Sequence, residues 1–168
     1  MIVIVFGLPG AGKSYFASRL AARMEADYIN SDRVRKKMYT DRTYSADEKL
    51  SVYDEMLSQM KEAIKQNKTL VIDATFYKDA IRKEFIVEGR GNILFIEVKA
   101  EQSLIKERLE KIRTDSEADF EVYRSIQSQF EPMKESHLIL YSTDINITDM
   151  INKAMNYLNA TDDEGADR

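Results

Sequence analysis

The feature that most constrains this chain is its first fourteen residues, MIVIVFGLPGAGKS. Residues 2–6 form an unbroken apolar, largely β-branched run of strand length, which is typical of a parallel strand buried on both faces. The segment 7–14 follows at once and fits the pattern G-x-x-x-x-G-K-[ST] in every fixed position. The next residues, YFASRLAARM, favour a helix. Strand, glycine loop and helix therefore occur in the order that a phosphate-binding loop requires.

The residue types of this loop suit the binding of a triphosphate. Phosphate oxygens need several backbone N–H donors that point inwards, and glycine keeps side chains out of the way and permits positive φ. The following helix adds its N-terminal donors and the positive end of its dipole. We expect Lys13 to reach the β- and γ-phosphates of ATP, and the Ser14 hydroxyl to hold Mg²⁺.

A glycine turn that binds no ligand is the alternative interpretation of this loop. The agreement between the spacing, the preceding strand and the following helix favours a nucleotide site instead. The predicted nucleotide-binding residues are Gly7, Gly10, Ala11, Gly12, Lys13, Ser14 and Tyr15.

Composition limits the class of protein. A chain of 168 residues suits one domain, and its 32% charged and 43% apolar residues are ordinary for a soluble protein. No apolar run approaches membrane-spanning length, and the chain starts with a core strand, so we expect neither a transmembrane segment nor a signal peptide. The absence of cysteine excludes disulfides and thiolate metal sites, and with the rest predicts a cytoplasmic protein. A net charge of −4 argues against a general nucleic-acid binder.

Five apolar strands alternate with helices along the chain. This alternation predicts an α/β domain with a parallel sheet and helices on both faces. We expect the domain to span residues 1–158, and the polar, acidic residues 159–168 to form a disordered tail. Ligands of such sheets bind outside the carboxyl ends of the strands. The predicted strands are 2–6, 27–29, 69–73, 92–98 and 137–141.

Asp32 follows the second strand and opens a helix rich in arginine and lysine. One interpretation is that Ser31 or Asp32 caps this helix and the basic residues form a solvated face. The other makes Asp32 the general base that accepts a proton from an acceptor hydroxyl. Arg35 lies three residues on and then faces the same helix end, where it is placed to bind an anionic group of the acceptor. The basic cluster within an acidic protein favours an acceptor that carries phosphate.

Asp73 ends the apolar strand in VIDAT. A buried strand that closes on aspartate is the expected form of the second phosphate-site motif, in which the carboxylate holds Mg²⁺ directly or through water. The alternative is an aspartate that only caps the segment after it. Thr75 is a weaker candidate for orienting the acceptor or Asp32.

Arg108 shares a helix face with Leu104 and Ile112, four residues away on either side. An arginine within an apolar stripe is costly without an anionic partner. The phosphate in transfer is one such partner, and a buried salt bridge is the competing interpretation. Arg113 is the second candidate for a lid arginine that stabilises charge in the transition state.

Several motifs together resemble small P-loop kinases of the polynucleotide 5′-hydroxyl kinase type, a group that includes many uncharacterised ATP-binding proteins. They are GLPGAGKS, INSDRVRKKM, VIDATF, KERLEKIR and SEADFEVYRSIQSQFEP, and the resemblance covers residues 1–132. It implies an adenylate-kinase-like sheet order of 2-3-1-4-5 and an ATP·Mg²⁺ donor.

The resemblance also implies roles for particular residues. Asp32 matches the general base of polynucleotide kinases, and Arg35 matches an arginine that contacts the acceptor phosphate. The lid is expected near residues 108–118. Ile112 stands where the family's second lid arginine is expected, so Arg113 would have to replace it. Tyr15 replaces the small hydroxyl residue that commonly follows the Lys-Ser pair.

The leading functional hypothesis is transfer of the γ-phosphoryl group of ATP to a hydroxyl, foremost the 5′-hydroxyl of RNA or DNA. A small-molecule kinase acting on a sugar acid, nucleoside or antibiotic is the alternative within the enzyme class. A nucleotide-dependent regulatory switch is the alternative from another class. The candidate base beside a basic segment and the lack of a switch-like glutamine signature oppose the switch.

Overall fold

The computed structural model describes residues 1–111 and 120–166. A five-stranded parallel sheet lies at its centre, with strand order β2-β3-β1-β4-β5. The predicted α/β fold and the sheet order that the resemblance implied are therefore confirmed. The strands are β1 (Ile2–Phe6), β2 (Asp27–Asn30), β3 (Leu70–Asp73), β4 (Ile93–Lys99) and β5 (Leu138–Tyr141).

Helices cover both faces of the sheet. No helix of the described segments combines the length and the apolar content needed to cross a membrane. The helices are α1 (Lys13–Met24), α2 (Ser31–Met38), α3 (Ala46–Lys65), α4 (Asp79–Gly89), α5 (Gln102–Glu110), α6 (Phe120–Ser128) and α7 (Ile147–Ala166).

The central strand β1 contributes to two hydrophobic cores. Ile2, Ile4 and Phe6 pack on one face of the sheet with side chains of α3 and α4. Val3 and Val5 pack on the other face with side chains of α1 and α7. All five residues are fully buried, and burying one such side chain is worth about 1.5–3 kcal/mol. The glycine loop therefore starts from a strand that is buried on both faces.

The parallel arrangement brings several loops to one edge of the sheet. The Gly7 N–H donates to the Thr75 carbonyl at 3.4 Å, which joins the loop after β1 to the loop after β3. The Ser142 N–H donates to the Lys99 carbonyl at 2.7 Å, which joins the ends of β4 and β5. The candidate site residues at this edge lie in the segments 7–14, 30–32, 73–75 and 142–144.

The C-terminal helix is longer than the sequence predicts. α7 continues through Ala166, whereas a disordered tail is predicted from residue 159. No proline interrupts this segment, and the Thr161 hydroxyl bonds to the carbonyls of Tyr157 and Leu158 at 3.1 and 2.8 Å. A polar composition alone therefore does not end this helix.

One face of α3 also differs from its predicted register. The spacing of five residues predicts that all of them face the core: Leu50, Tyr53, Leu57, Met60 and Ile64. Tyr53 and Met60 are buried, and Leu57 and Ile64 pack against the core, but 53% of Leu50 is exposed. Val52 is buried instead, because the inner face is centred slightly away from the predicted stripe.

Arg82 is a fully buried arginine on α4. Its Nη1 donates to the Phe76 carbonyl and its Nη2 to the Glu131 carbonyl, both at 2.7 Å. The Glu131 N–H in turn donates to the Tyr77 carbonyl at 2.9 Å. Arg82 therefore joins the loop after β3 to the segment that follows α6.

We predict that Arg82→Ala lowers the free energy of unfolding by roughly 3 kcal/mol, because it leaves buried carbonyls without a donor. Urea denaturation followed by circular dichroism measures this loss. The control is Lys83→Ala, which removes an exposed lysine paired with Asp79 and should cost less than about 1 kcal/mol. Equal losses from the two substitutions would contradict the structural role of Arg82.

Candidate active site

A cavity of about 890 Å³ opens at the carboxyl edge of the sheet. Its volume is near the upper end of the range of about 300–1,000 Å³ typical of ligand pockets. The glycine loop, the loop after β3, the helices α1, α2, α3 and α6, and the start of α7 all contribute lining residues. A cavity of this size has room for a nucleotide and a second ligand.

The loop from Gly7 to Ser14 curls at the mouth of β1. A Cβ at Gly7 would lie 2.3 Å from the Val98 carbonyl oxygen, so no larger residue fits there. Gly12 has a φ of 94° and precedes the first turn of α1. The Lys13 ammonium lies across the loop and donates to the Leu8 carbonyl at 2.9 Å. This backbone is shaped to surround a group that accepts hydrogen bonds, as phosphate does.

Asp73 lies at the centre of a hydrogen-bond network next to Ser14. Asn30 Nδ2 donates to Asp73 Oδ2 at 2.6 Å and to Ser14 Oγ at 3.3 Å. The Tyr28 hydroxyl donates to Asp73 Oδ2 at 2.9 Å. Burial, together with the Asp73 charge, raises the pKa of Tyr28 far above 10, so its hydroxyl stays protonated and remains a donor.

The other oxygen of Asp73 fits a role in binding a cation. Oδ1 is buried and has no hydrogen-bond partner among the described residues, and a buried polar atom without a partner is costly. Mg²⁺ prefers hard oxygen ligands such as carboxylates and hydroxyls. Asp73 Oδ1 and Ser14 Oγ are therefore the atoms of this chain suited to hold Mg²⁺.

Asn30, rather than Ser31 or Asp32, is the N-cap of α2. Its Oδ1 accepts hydrogen bonds from the backbone N–H groups of Asp32 and Arg33 at 3.0 and 3.1 Å. The capping interpretation of Asp32 is therefore wrong. Its carboxylate is not used by the helix end and lines the cavity together with Lys13 and Ser14.

The environment of the Asp32 carboxylate suits a base. Its side chain keeps 31% of its surface exposed. Burial raises the pKa of Asp32 above the ordinary value of 3.8; the Arg35 and Lys13 charges oppose this rise, and the Asp73 charge adds to it. A carboxylate with a raised pKa accepts a proton more readily near neutral pH.

Arg35 is not available as an isolated cation. Its Nη1 is 3.2 Å from Asp32 Oδ1, and its Nε is 3.0 Å from Glu48 Oε1. Its guanidinium carbon also lies 4.8 Å from the centre of the Tyr44 ring. The predicted role of binding an anionic acceptor therefore has to compete with two carboxylates.

Thr75 lines the cavity beside Tyr53. The hydroxyl oxygens of Thr75 and Tyr53 are 3.2 Å apart, and the Phe76 N–H donates to the Tyr53 hydroxyl at 3.0 Å. Tyr53 on α3 thus holds the loop after β3 in place. Thr75 does not contact Asp32 in any of the hydrogen bonds of the described residues.

Arg108 lies against the glycine loop. Its Nη1 donates to Ser142 Oγ at 2.9 Å and to the Ala11 carbonyl at 3.4 Å, and its Nη2 donates to Asp144 Oδ1 at 3.0 Å. Ser142 Oγ also donates to the Ala11 carbonyl at 2.6 Å. Arg108 therefore lines the cavity, and its partner Asp144 is 64% exposed, so this ion pair is not the buried salt bridge of the competing interpretation. Arg113, Ile112 and most of the predicted lid at 108–118 lie outside the described residues.

Some residues of the site were missed or underrated by sequence reasoning. The position of Asn30 just before a helix is a capping signal that could have identified it. Ser142 at the end of a strand carried a positional signal only, and Tyr28, Tyr53 and Glu48 carried none. Tyr15 lines the cavity with 55% of its surface exposed, and the Arg19 guanidinium lies 3.4 Å from the centre of its ring.

The fold and the loop together define a P-loop nucleotide-binding domain of kinase-like architecture. The chain belongs to the AAA_33 family, an AAA domain family whose model matches residues 2–133. No curated protein sequence matches the chain.

Several solved structures share the fold at low sequence identity. A gluconokinase from Sinorhizobium meliloti 1021 is 16% identical, with a TM-score of 0.73 over 95% of this chain and 91% of that one. The Mycobacterium tuberculosis APS kinase CysC, in complex with AMPPNP and APS, is 16% identical, with a TM-score of 0.71 over 94% and 96%. Shikimate kinase from Acinetobacter baumannii, in complex with shikimate, is 12% identical, with a TM-score of 0.66 over 95% and 93%.

We predict that Asp73→Asn weakens the dependence of nucleotide binding on Mg²⁺. The amide keeps one oxygen for Tyr28 and Asn30 but replaces the unpartnered oxygen with an NH₂ group, which cannot bind a cation. In calorimetric titrations with ATP, the Mg²⁺ concentration for half-maximal effect should rise at least about tenfold, while binding in EDTA should not change. Asp149→Asn, at an exposed position of α7, is the control. A Mg²⁺ dependence equal to that of the unmodified protein would remove Asp73 from the metal site.

Proposed function

We propose that this protein is an ATP-dependent kinase that transfers the γ-phosphoryl group to a hydroxyl of its acceptor. The observation that carries the proposal is the position of Asp32. Its carboxylate is released from capping by Asn30, has a raised pKa, and lines the same cavity as Lys13 and Ser14. Phosphoryl transfer to an alcohol requires a base in the same cavity as the site that binds the triphosphate.

The side chains of the site have distinct tasks in this proposal. Lys13 neutralises the outer phosphates, and the N–H groups of the glycine loop donate hydrogen bonds to the phosphate oxygens. Asp32 accepts the proton of the acceptor hydroxyl as the new P–O bond forms. Arg108, which already contacts the loop, is placed to stabilise the charge that develops. When bound by Ser14 and Asp73, Mg²⁺ would supply further neutralisation of the phosphate charge.

The comparisons support a kinase at the level of the fold. The gluconokinase, the APS kinase and the shikimate kinase share this architecture, and the APS kinase structure holds AMPPNP. Each of these three proteins is named for a small acceptor, which supports a small-molecule kinase and gives no support to a polynucleotide acceptor. The lack of cysteine favours the cytoplasm as the location.

A polynucleotide 5′-hydroxyl is a candidate acceptor because basic side chains follow Asp32 on α2. Arg33 lines the cavity, and Lys36 and Lys37 lie further along the helix. Clustered cations of this kind attract phosphate backbones. Transfer of label from ATP to a 5′-hydroxyl oligonucleotide would support this acceptor, and an unlabelled oligonucleotide would exclude it.

We predict that Asp32→Asn separates a kinase from a nucleotide-dependent switch. Loss of the base should lower kcat for phosphoryl transfer by about 10²- to 10⁴-fold, with an unchanged Kd for ATP. Steady-state kinetics and calorimetry measure the two quantities. Asp41→Asn, at an exposed position after α2, should match the unmodified protein. A switch would show the same slow ATP hydrolysis with aspartate or asparagine at position 32, and that result would overturn the proposal that the protein is a kinase.

We predict an acid limb in the pH profile of kcat, because Asp32 acts only when ionised. The rate should fall as the pH drops through the raised pKa of Asp32, above 3.8. Arg35 favours the ionised form, so Arg35→Met should raise this pKa and move the limb to higher pH. Lys37→Met, at an exposed position of α2, is the control. A limb that stays in place or moves to lower pH in Arg35→Met would argue against Asp32 as the base.

A further inference from the structure

The charges beside the candidate base are already balanced. The Arg35 guanidinium forms ion pairs with two carboxylates, through Nη1 to Asp32 Oδ1 at 3.2 Å and through Nε to Glu48 Oε1 at 3.0 Å. Only 9% of the Arg35 side chain and 4% of the Glu48 side chain are exposed. Glu48 is held in place by the Thr43 N–H and hydroxyl at 2.7 and 2.9 Å. Together with Lys49, which also lines the cavity, this group carries no excess positive charge.

The nucleotide side of the same cavity is different. Its lining carries four cationic side chains and two carboxylates, and therefore an excess of positive charge. A triphosphate with Mg²⁺ carries a charge of about −2, which this excess balances. We call the lining around the glycine loop and Asp73 the cationic part, and the lining around Asp32, Arg35, Lys49 and α6 the neutral part. Arg33 belongs to the cationic part because its guanidinium carbon lies 5.5 Å from the centre of the Tyr28 ring, and Tyr28 bonds to Asp73. The charged residues of the cationic part are Lys13, Arg19, Arg33, Arg108, Asp73 and Asp144.

The neutral part is walled by apolar and aromatic side chains. Val122, Ser125, Ile126 and Gln129 line the cavity from α6, and their spacing places them on one helix face. Helix α6 packs on α5 through a different face, which carries Tyr123. On the cavity face, 40% of Val122 is exposed. The charged residues Glu121 and Arg124 of α6 are not among the cavity-lining residues.

Aromatic rings complete this wall. Tyr44, Tyr53 and Tyr77 line the same cavity. The Tyr77 carbonyl accepts a hydrogen bond from the N–H of Glu131, two residues beyond Gln129. The loop after β3, which carries Tyr77, therefore adjoins the end of α6. Large apolar walls with a few uncharged hydrogen-bonding groups bind flat or apolar rings that carry hydroxyls.

We propose that the acceptor is an uncharged alcohol attached to a flat or apolar ring, of the nucleoside type in size, and that phosphate- or carboxylate-bearing acceptors are disfavoured. This inference rests on the proposed kinase function. It replaces the expectation of a phosphate-bearing acceptor, because the basic side chain nearest Asp32 is neutralised by Glu48. In the reaction the acceptor oxygen bonds to the γ-phosphorus, the bond to the β-phosphate oxygen breaks, and Asp32 takes the hydroxyl proton.

The test compares matched acceptors that differ in charge. Uridine and adenosine are compared with their 3′-monophosphates, with gluconate and with a 5′-hydroxyl oligonucleotide, in the presence of Mg²⁺ and ATP. Phosphorylated product is measured by mass spectrometry and binding by saturation-transfer NMR. We expect the uncharged nucleosides to bind and to be phosphorylated with a kcat/KM at least about tenfold above that of their 3′-monophosphates. Higher kcat/KM for the anionic member of each pair, or no binding of either uncharged nucleoside to protein that binds ATP, would overturn the proposal.

A charge variant tests the cause of this preference. Glu48→Gln releases the positive charge of Arg35, so the kcat/KM ratio of 3′-monophosphate to nucleoside should rise about tenfold. Glu62→Gln, on an exposed face of the same helix, is the control and should leave the ratio unchanged. An unchanged ratio in Glu48→Gln would contradict the neutralisation of Arg35.

A wall variant keeps the test decisive if Glu48→Gln does not fold. Ile126→Ser should raise KM for the nucleosides several-fold with little change in kcat, since it removes apolar contact with the ring. Val87→Ser, on an exposed face of α4 away from the cavity, is the matched control. Unchanged KM in Ile126→Ser would remove α6 from the acceptor site. If the proposed kinase function were wrong, the result would be distinguishable, because neither the uncharged nor the anionic acceptors would then yield phosphorylated product.

Discussion

The close approach of three strand ends at Gly7 is the constraint on which the rest of the structure depends. A Cβ at this position would collide with the Val98 carbonyl at the end of β4, and the Gly7 N–H is bonded to the carbonyl of Thr75 after β3. The glycine loop is therefore held by the backbone of its neighbours on both sides. Because β1 is fully buried between two cores, the loop starts from a strand that is packed on both faces.

Asn30 transmits this position to the candidate base. Its amide nitrogen bonds to Ser14 and Asp73, while its amide oxygen caps α2. One side chain thus joins the first turn of α1, the end of β3 and the helix that carries Asp32. Asn30 therefore links the two residues proposed to hold Mg²⁺ to the helix that carries the proposed base.

The sequence predicts the parts of this site that are set by local spacing. The glycine loop, the strand ending at Asp73 and the order of strands and helices all follow from short-range patterns. The pairing of Arg35 with Glu48 does not follow from such patterns. The two residues are thirteen positions apart on different helices, and their contact depends on how α2 packs on α3. The hydrogen bonds from Arg82 to the carbonyls of Phe76 and Glu131 cannot be predicted from the sequence either. Every residue has a backbone carbonyl, so the sequence does not indicate which ones accept these bonds. Arg35 suggests a phosphate-binding residue when the sequence is considered alone, because its partner Glu48 lies on another helix.

The proposed mechanism depends on one distance, between the γ-phosphorus of bound ATP and the carboxylate of Asp32. A crystal structure with Mg²⁺ and a non-hydrolysable ATP analogue measures it directly. A near-attack oxygen lies about 3–3.5 Å from the phosphorus and within about 3 Å of its base. We therefore expect the γ-phosphorus within about 6 Å of an Asp32 carboxylate oxygen. A triphosphate in the glycine loop whose γ-phosphorus faces away from Asp32, with no space for a hydroxyl between them, would contradict the proposed mechanism.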